Sequence, residues 1–175
     1  GSASKLEYLN LDSTGQTNLS GINSAPSLTL LHASNNDFAQ FPPELLTMTN
    51  LKVLYLSTNK FDSKIPDLSG LNQLAFFACK KCGFTGKLPS WLGNLANLQY
   101  LSLASNKLTG EIPTGLTEMN SLTHLDLSDQ APRGGGITGS IPSFSNSENI
   151  SELYLHRNKL SGSISDDFLA MTTSS

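Results

Sequence analysis

Leucine returns along this chain on a fixed beat, and that beat limits what it can fold into. The template L-x-x-L-x-L-x-x-N-x-L fits Leu51, Leu54, Leu56, Asn59 and Phe61. It fits Leu98, Leu101, Leu103, Asn106 and Leu108, and again Ile150, Leu153, Leu155, Asn158 and Leu160. With substitutions it fits Leu28, Leu31, Ala33, Asn36, Phe38 and Leu74, Phe77, Cys79, Cys82, Phe84. Two copies are stretched: Leu6, Leu9, Leu11 and then Leu19; Leu122, Leu125, Leu127 and then Ile137. The seven turns start at residues 6, 28, 51, 74, 98, 122 and 150, so each step is 22 to 24 residues except one of 28. Self-similarity at such a period is the mark of a solenoid. The L-x-L portion alternates as a strand does, with one dry face and one wet. One turn cannot bury its dry face alone, so turns stack into a parallel sheet over a continuous core.

The second half of each turn is also regular. It reads "LTGEIP", "ITGSIP" and "FTGKLP", and less closely "FDSKIP" and "LSGSIS". With the leucine template in register, the chain resembles the leucine-rich repeat proteins, and among them the plant-type subfamily with its L-x-G-x-I-P signature. The resemblance covers essentially the whole chain. It implies an α/β fold: an open, right-handed solenoid of about seven repeats. A parallel concave β-sheet lines one side, with short helices or turns on the convex side. Residues 1–4 read as a cloning remnant or linker, and residues 5–175 as the repeat domain. The lack of a polar capping unit or paired-cysteine cap leads us to expect a fragment of a longer array.

The register assigns side chains. Asn36, Asn59, Asn106 and Asn158 point inward after each strand, where their amides can pair backbone groups that an apolar residue would leave unpaired. Three columns point outward. The first is Tyr8, Leu30, Val53, Phe76, Tyr100, His124, Glu152; the second is Asn10, His32, Tyr55, Ala78, Ser102, Asp126, Tyr154. The third is Asp12, Ser34, Ser57, Lys80, Ala104, Ser128, His156. All four tyrosines and all three histidines fall in these columns. Aromatic residues suit any strand, but exposed tyrosine and histidine also mark contact surfaces. The expected ligand-binding residues on the concave face are Tyr8, Tyr55, Phe76, Tyr100, His124, Tyr154 and His156.

Catalytic and metal chemistry find little support. Net charge is −3, which gives no basic footprint for a nucleic acid. The longest apolar run, "LAFFAC", is far too short to span a bilayer. "CKKC" has no second pair to complete a zinc site. Cys79 takes an inward leucine position and Cys82 an inward asparagine position, so both are expected as buried, inert thiols. A bridge needs Cα atoms within about 7 Å, and the turn after the strand argues against it. His124 and His156 are offset by roughly 13 Å along the sheet at about 3.3 Å per residue, too far to share an ion. No serine sits in a nucleophile motif. The expectation is no enzyme, no cofactor and no metal. Asn18-Leu19-Ser20 and Asn149-Ile150-Ser151 match the glycosylation pattern without establishing its use.

The sixth turn carries five extra residues within "DQAPRGGG". Core positions resume after it, so the extra residues are expected to bulge from one rim, where insertions often serve binding. Arg133, Gly134, Gly135 and Gly136 are therefore candidate rim-loop contacts. The reading is a non-enzymatic recognition module for a protein, peptide or glycan, extracellular or at the cell surface. It would form part of a receptor ectodomain or secreted protein. The alternative is a structural stalk or matrix element without a dedicated ligand.

Overall fold

A computed structural model describes residues 3–166 and Phe168. The first two residues of the expected N-terminal remnant, and most of the segment after residue 166, lie outside the described residues. Ser4 is tied to the next turn: its O accepts from Ser27 Oγ at 2.6 Å.

Among the described residues, ten short strands follow in chain order. They are β1 (Tyr8–Asn10), β2 (Leu30–His32), β3 (Val53–Tyr55), β4 (Phe76–Ala78), β5 (Thr85–Lys87), β6 (Tyr100–Ser102), β7 (Lys107–Gly110), β8 (His124–Asp126), β9 (Gly136–Ile137) and β10 (Glu152–Tyr154). Seven of them form one parallel sheet in the order β1-β2-β3-β4-β6-β8-β10. Its pairing runs Tyr8–Leu30–Val53–Phe76–Tyr100–His124–Glu152 across the first outward column. The second column is paired in the same unbroken way from Asn10 to Tyr154. The two-residue period of a strand therefore translates directly into sides of the sheet. Leu31, Leu54, Phe77, Leu101 and Leu125 point inward and are wholly buried.

A second parallel sheet, β5-β7-β9, runs through the L-x-G portion of the turns. It was not visible as a strand signal, because glycine and threonine replace the alternating apolar residues that mark a half-buried strand. The convex side carries 3-10 helices at Ile22–Ser24, Pro43–Thr47, Ser90–Asn94 and Thr114–Glu118. Two of these meet at glycine: a Cβ on Gly93 would lie 2.7 Å from Gly115 Cα, so no other residue fits there without a shift.

Between each strand and the inward polar position the backbone is left-handed. Ser13, Asn35, Thr58, Lys81, Ser105, Asp129 and Arg157 all have φ between 54° and 61°. None is glycine and only Asn35 and Asp129 are of types that favour it, so the other turns carry a conformation that their sequence does not announce. The reversal swings the next side chain back under the strand. Asn106 Nδ2 then donates to Leu103 O at 2.7 Å and to Cys79 O at 2.8 Å, while its Oδ1 accepts from Cys82 N and Phe84 N, both at 3.0 Å. Asn36, Asn59 and Asn158 bridge neighbouring turns similarly.

The same reversal overturns the expectation for the cysteines. Cys79 and Cys82 are buried as expected, but they form a disulfide, with Cα atoms 5.6 Å apart. In every ladder turn the side chain at this position returns to the residue three before it. Two cysteines in those places therefore face each other. The turn argued against the bridge only while its left-handed residue, Lys81, was unrecognised.

Candidate ligand-binding face

The concave sheet is paved by two runs of rings. Tyr8, His32 and Tyr55 form one, with centroids 5.7 and 4.7 Å apart. Phe76, Tyr100, His124 and Tyr154 form the other, with successive centroids at 6.3, 4.3 and 5.3 Å. The Tyr100–His124 contact is a parallel stack, 14° between planes. Parallel strands hold Phe76, Tyr100 and His124 in step, since these first-column residues are direct neighbours, and Tyr154 joins them from the second column. The runs part at Ala78, the small second-column neighbour of Tyr55. Tyr8 and Tyr154 are exposed, whereas Tyr55, Phe76, Tyr100 and His124 are half-buried. His156 is exposed and belongs to neither run.

Acidic groups fix the second run. Glu152 Oε2 lies 3.0 Å from His124 Nδ1 and accepts from the Tyr154 hydroxyl at 3.0 Å. This partner comes from the neighbouring strand, where Glu152 is the register partner of His124. Asp126 Oδ1 accepts from Ser128 Oγ at 2.6 Å, and Oδ2 from Ser102 Oγ at 3.4 Å. Burial is the chief influence on the Tyr100 phenol and raises its pKa, opposed by a hydrogen bond with Ser102. The hydrogen bond to Glu152 is the chief influence on Tyr154 and likewise raises it. Both phenols thus stay protonated and able to donate at neutral pH. Ser102 and Ala104 lie in outward columns yet are 4% and 0% exposed. Small side chains on the floor of a curved sheet are covered by larger neighbours, so outward does not there mean exposed.

The rim loop divides in two. Pro132, Arg133 and Gly134 are exposed, as expected of a bulge. Gly135 and Gly136 are buried, contrary to that expectation. A Cβ on Gly135 would come 2.5 Å from Lys107 C and 2.6 Å from Leu108 O, so the loop is pressed onto the preceding turn. Gln130, unassigned from the sequence, is wholly buried and completes the ladder in place of asparagine. Its Oε1 accepts from Leu108 N at 3.0 Å and its Nε2 donates to Leu103 O at 2.9 Å. Its place three residues after Leu127, matching Leu103 to Asn106, was the available signal.

The strand-exit rim also gathers cations. Lys80, Lys81, Arg133 and Arg157 line an open hollow of about 360 Å³ with Ser105 and Asp129. Only Lys80 of these lay in an outward column. The left-handed turns bring Lys81 and Arg157 to the same edge. Among the described residues no helix is long and apolar enough to cross a membrane.

Known proteins share the repeat pattern and the fold. Leucine rich repeat family profiles match residues 85–130 and residues 50–71 and 149–171. Pollen receptor-like kinase 2 of Arabidopsis thaliana is 33% identical over 95% of this chain, which covers 21% of that protein. The chain thus spans about a fifth of the length of the first curated relatives it matches, 18% and 21%. The Arabidopsis receptor kinase HAESA, solved with the peptide hormone IDA and the co-receptor SERK1, superposes with TM-score 0.78 at 30% identity, over 89% of this chain and 26% of that one. The ectodomain of the receptor kinase SOBIR1 from Arabidopsis thaliana superposes with TM-score 0.63 at 31% identity, over 70% of this chain and 68% of that one. Matched in its repeat phrases and in the stacking of its turns, the chain belongs to the leucine-rich repeat family, in its plant-type subfamily.

Proposed function

We propose that this chain is a non-enzymatic recognition module that binds a peptide or protein on its concave face, outside the cell or at its surface. The observation that carries the reading is the run Phe76–Tyr100–His124–Tyr154, locked by Glu152. A stalk needs a regular core and asks nothing of its outward columns. Here those columns hold stacked rings and fixed carboxylates, which offer rigid contact area at little cost in side-chain entropy. The solved HAESA complex holds a peptide hormone and a co-receptor, which favours the same class of partner here.

Photo-crosslinking tests this. A benzophenone side chain in place of Tyr100 should give a light-dependent adduct with a secreted peptide or protein of the source organism. The same group in place of Leu46, exposed on the convex Pro43–Thr47 helix, should not. An adduct only at Leu46, a glycan adduct, or none at either position would overturn the reading.

A further inference from the structure

The strand-exit rim carries charge of the opposite sign to the chain. Net charge is −3, yet seven of the eleven cationic side chains, Lys60, Lys80, Lys81, Lys107, Arg133, Arg157 and Lys159, follow the end of a concave-sheet strand by no more than about one rim turn. Three have acidic partners: Lys60 with Asp37 at 3.4 Å, Lys107 with Asp62 at 2.9 Å and Arg157 with Asp129 at 3.2 Å. Lys80, Lys81, Arg133 and Lys159 have none among the described residues, and the first three of these line hollows at the rim. Two adjoining hollows open here, and Lys81, Ser105 and Arg133 line both.

The extra residues of the sixth turn are what bring Arg133 to this place. The 3-10 turn Ala131–Arg133 is tied at both ends. Ala131 N donates to Arg157 O of the next turn at 3.1 Å, and Gly135 N donates to Gln130 O at 3.1 Å. Gly135 then rests on the backbone of Lys107 and Leu108 in the preceding turn. The insertion is therefore a built platform, and the one long cationic side chain it carries stands at the wall between the hollows.

We infer that this rim binds an acidic segment of the peptide or protein ligand. Side-chain carboxylates of that segment would be received by Lys80, Lys81 and Arg133. The inference rests on the recognition reading above and adds a second contact surface beside the concave one. Cations without acidic partners gain from an incoming carboxylate, and guanidinium can bind it through two parallel hydrogen bonds. Asp129 and Asp62 decide the partner class. Each is already paired with a cation, so the free positive charge is spaced unevenly; a peptide can place its acids opposite Lys80, Lys81 and Arg133 and leave gaps at the aspartates, which a uniformly charged polysaccharide cannot do.

The test is an NMR titration of the isotope-labelled chain with N-acetyl-Glu-Asp-Glu-Asp amide. The comparison probes are the Gln-Asn-Gln-Asn amide, an oligogalacturonate of matched charge and inorganic sulfate. The acidic peptide should cause saturable shifts at the amides of Gly83, Ser105 and Gly134, and the neutral peptide none. Arg133→Gln should weaken the dissociation constant at least tenfold. So should Lys81→Asn, chosen because asparagine tolerates the left-handed turn; if that variant fails to fold, Lys80→Gln takes its place. Absence of saturable shifts overturns the inference. So does equal or tighter binding of the oligogalacturonate or of sulfate, and so does indifference to Arg133→Gln. A ligand that loses affinity with Tyr100→Ala but not with Arg133→Gln would remove the rim site and leave the concave reading intact.

Discussion

The backbone carbonyl of Cys82 accepts the amide hydrogen of Phe61 at 3.0 Å. In other turns the corresponding amide is taken by a ladder side chain: Phe38 N by Asn59, Phe84 N by Asn106, Leu108 N by Gln130 and Ile137 N by Asn158. Where cysteine replaces asparagine, the carbonyl supplies the acceptor and the disulfide ties the turn. Removing both sulfurs in Cys79→Ala with Cys82→Ala should lower stability by about 2 kcal/mol or more, the value for closing so short a loop. Cys79→Leu with Cys82→Asn restores the regular pattern and should recover most of that. Urea unfolding of the two double variants decides it, and equal loss in both would show that asparagine cannot rejoin the ladder there.

The ladder should be costly to break wherever it is buried. Asn106→Leu leaves the amides of Cys82 and Phe84 and the carbonyl of Cys79 short of partners, while Leu103 O keeps Gln130; at about 1–3 kcal/mol each, a loss of at least about 3 kcal/mol is expected. Gln130→Leu should rank with it, and half-buried Asn158→Leu should cost less. Chemical denaturation giving under about 1 kcal/mol for Asn106→Leu would remove the ladder from the account of stability.

Ser147 is the reverse case. Its hydroxyl is buried without a hydrogen-bond partner among the described residues, at a place where the preceding turns carry Leu71, Leu95 and Met119. Ser147→Ala should therefore raise stability by about 1 kcal/mol, the scale of an unpaired buried hydroxyl. A fall in the thermal midpoint would mean that the hydroxyl has a partner in solution.

Gly135 and Pro132 separate the two halves of the rim loop. Gly135→Ala must push into the backbone of Lys107 and Leu108 and should cost about 2–3 kcal/mol. Pro132→Ala, on the exposed half, should cost under about 0.5 kcal/mol. Equal effects would show a loop that is free along its whole length.

Glu152→Gln should bring the Tyr154 phenol back toward the ordinary value of about 10. Tyr100 is raised mainly by burial, so it should stay raised in that variant. A raised phenol pKa favours the protonated folded form. The stability contributed by Tyr100 is thus complete below the unfolded value near pH 10 and is lost as pH climbs through the folded one. Carbon-13 titration of the ring carbons checks both tyrosines; an unmoved Tyr154 would discount its bond to Glu152.

The outward columns were legible from Tyr8 to His156 because strand alternation and repeat period act together, and each fixes the other's phase. What the sequence concealed depended on backbone conformation without a residue signature. Lys81 adopts a left-handed turn as a lysine, and that turn closes Cys79 on Cys82. Gln130 takes an asparagine's role under another name. Burial of Gly135 depends on what the preceding turn places beside it, and the pairing of His124 with Glu152 on contact between strands 28 residues apart. Neither can be read from a single repeat.

Recognition through the concave rings is tested most directly by the affinity of the partner captured at position 100. Its dissociation constant should be measured against Tyr100→Ala, His124→Ala and the convex control Leu46→Ala, each confirmed folded by its melting transition. The account predicts at least a tenfold loss for the first two, mainly as faster dissociation, and no change for the third. Unchanged affinity in both concave variants, or a loss confined to Leu46→Ala, would contradict it.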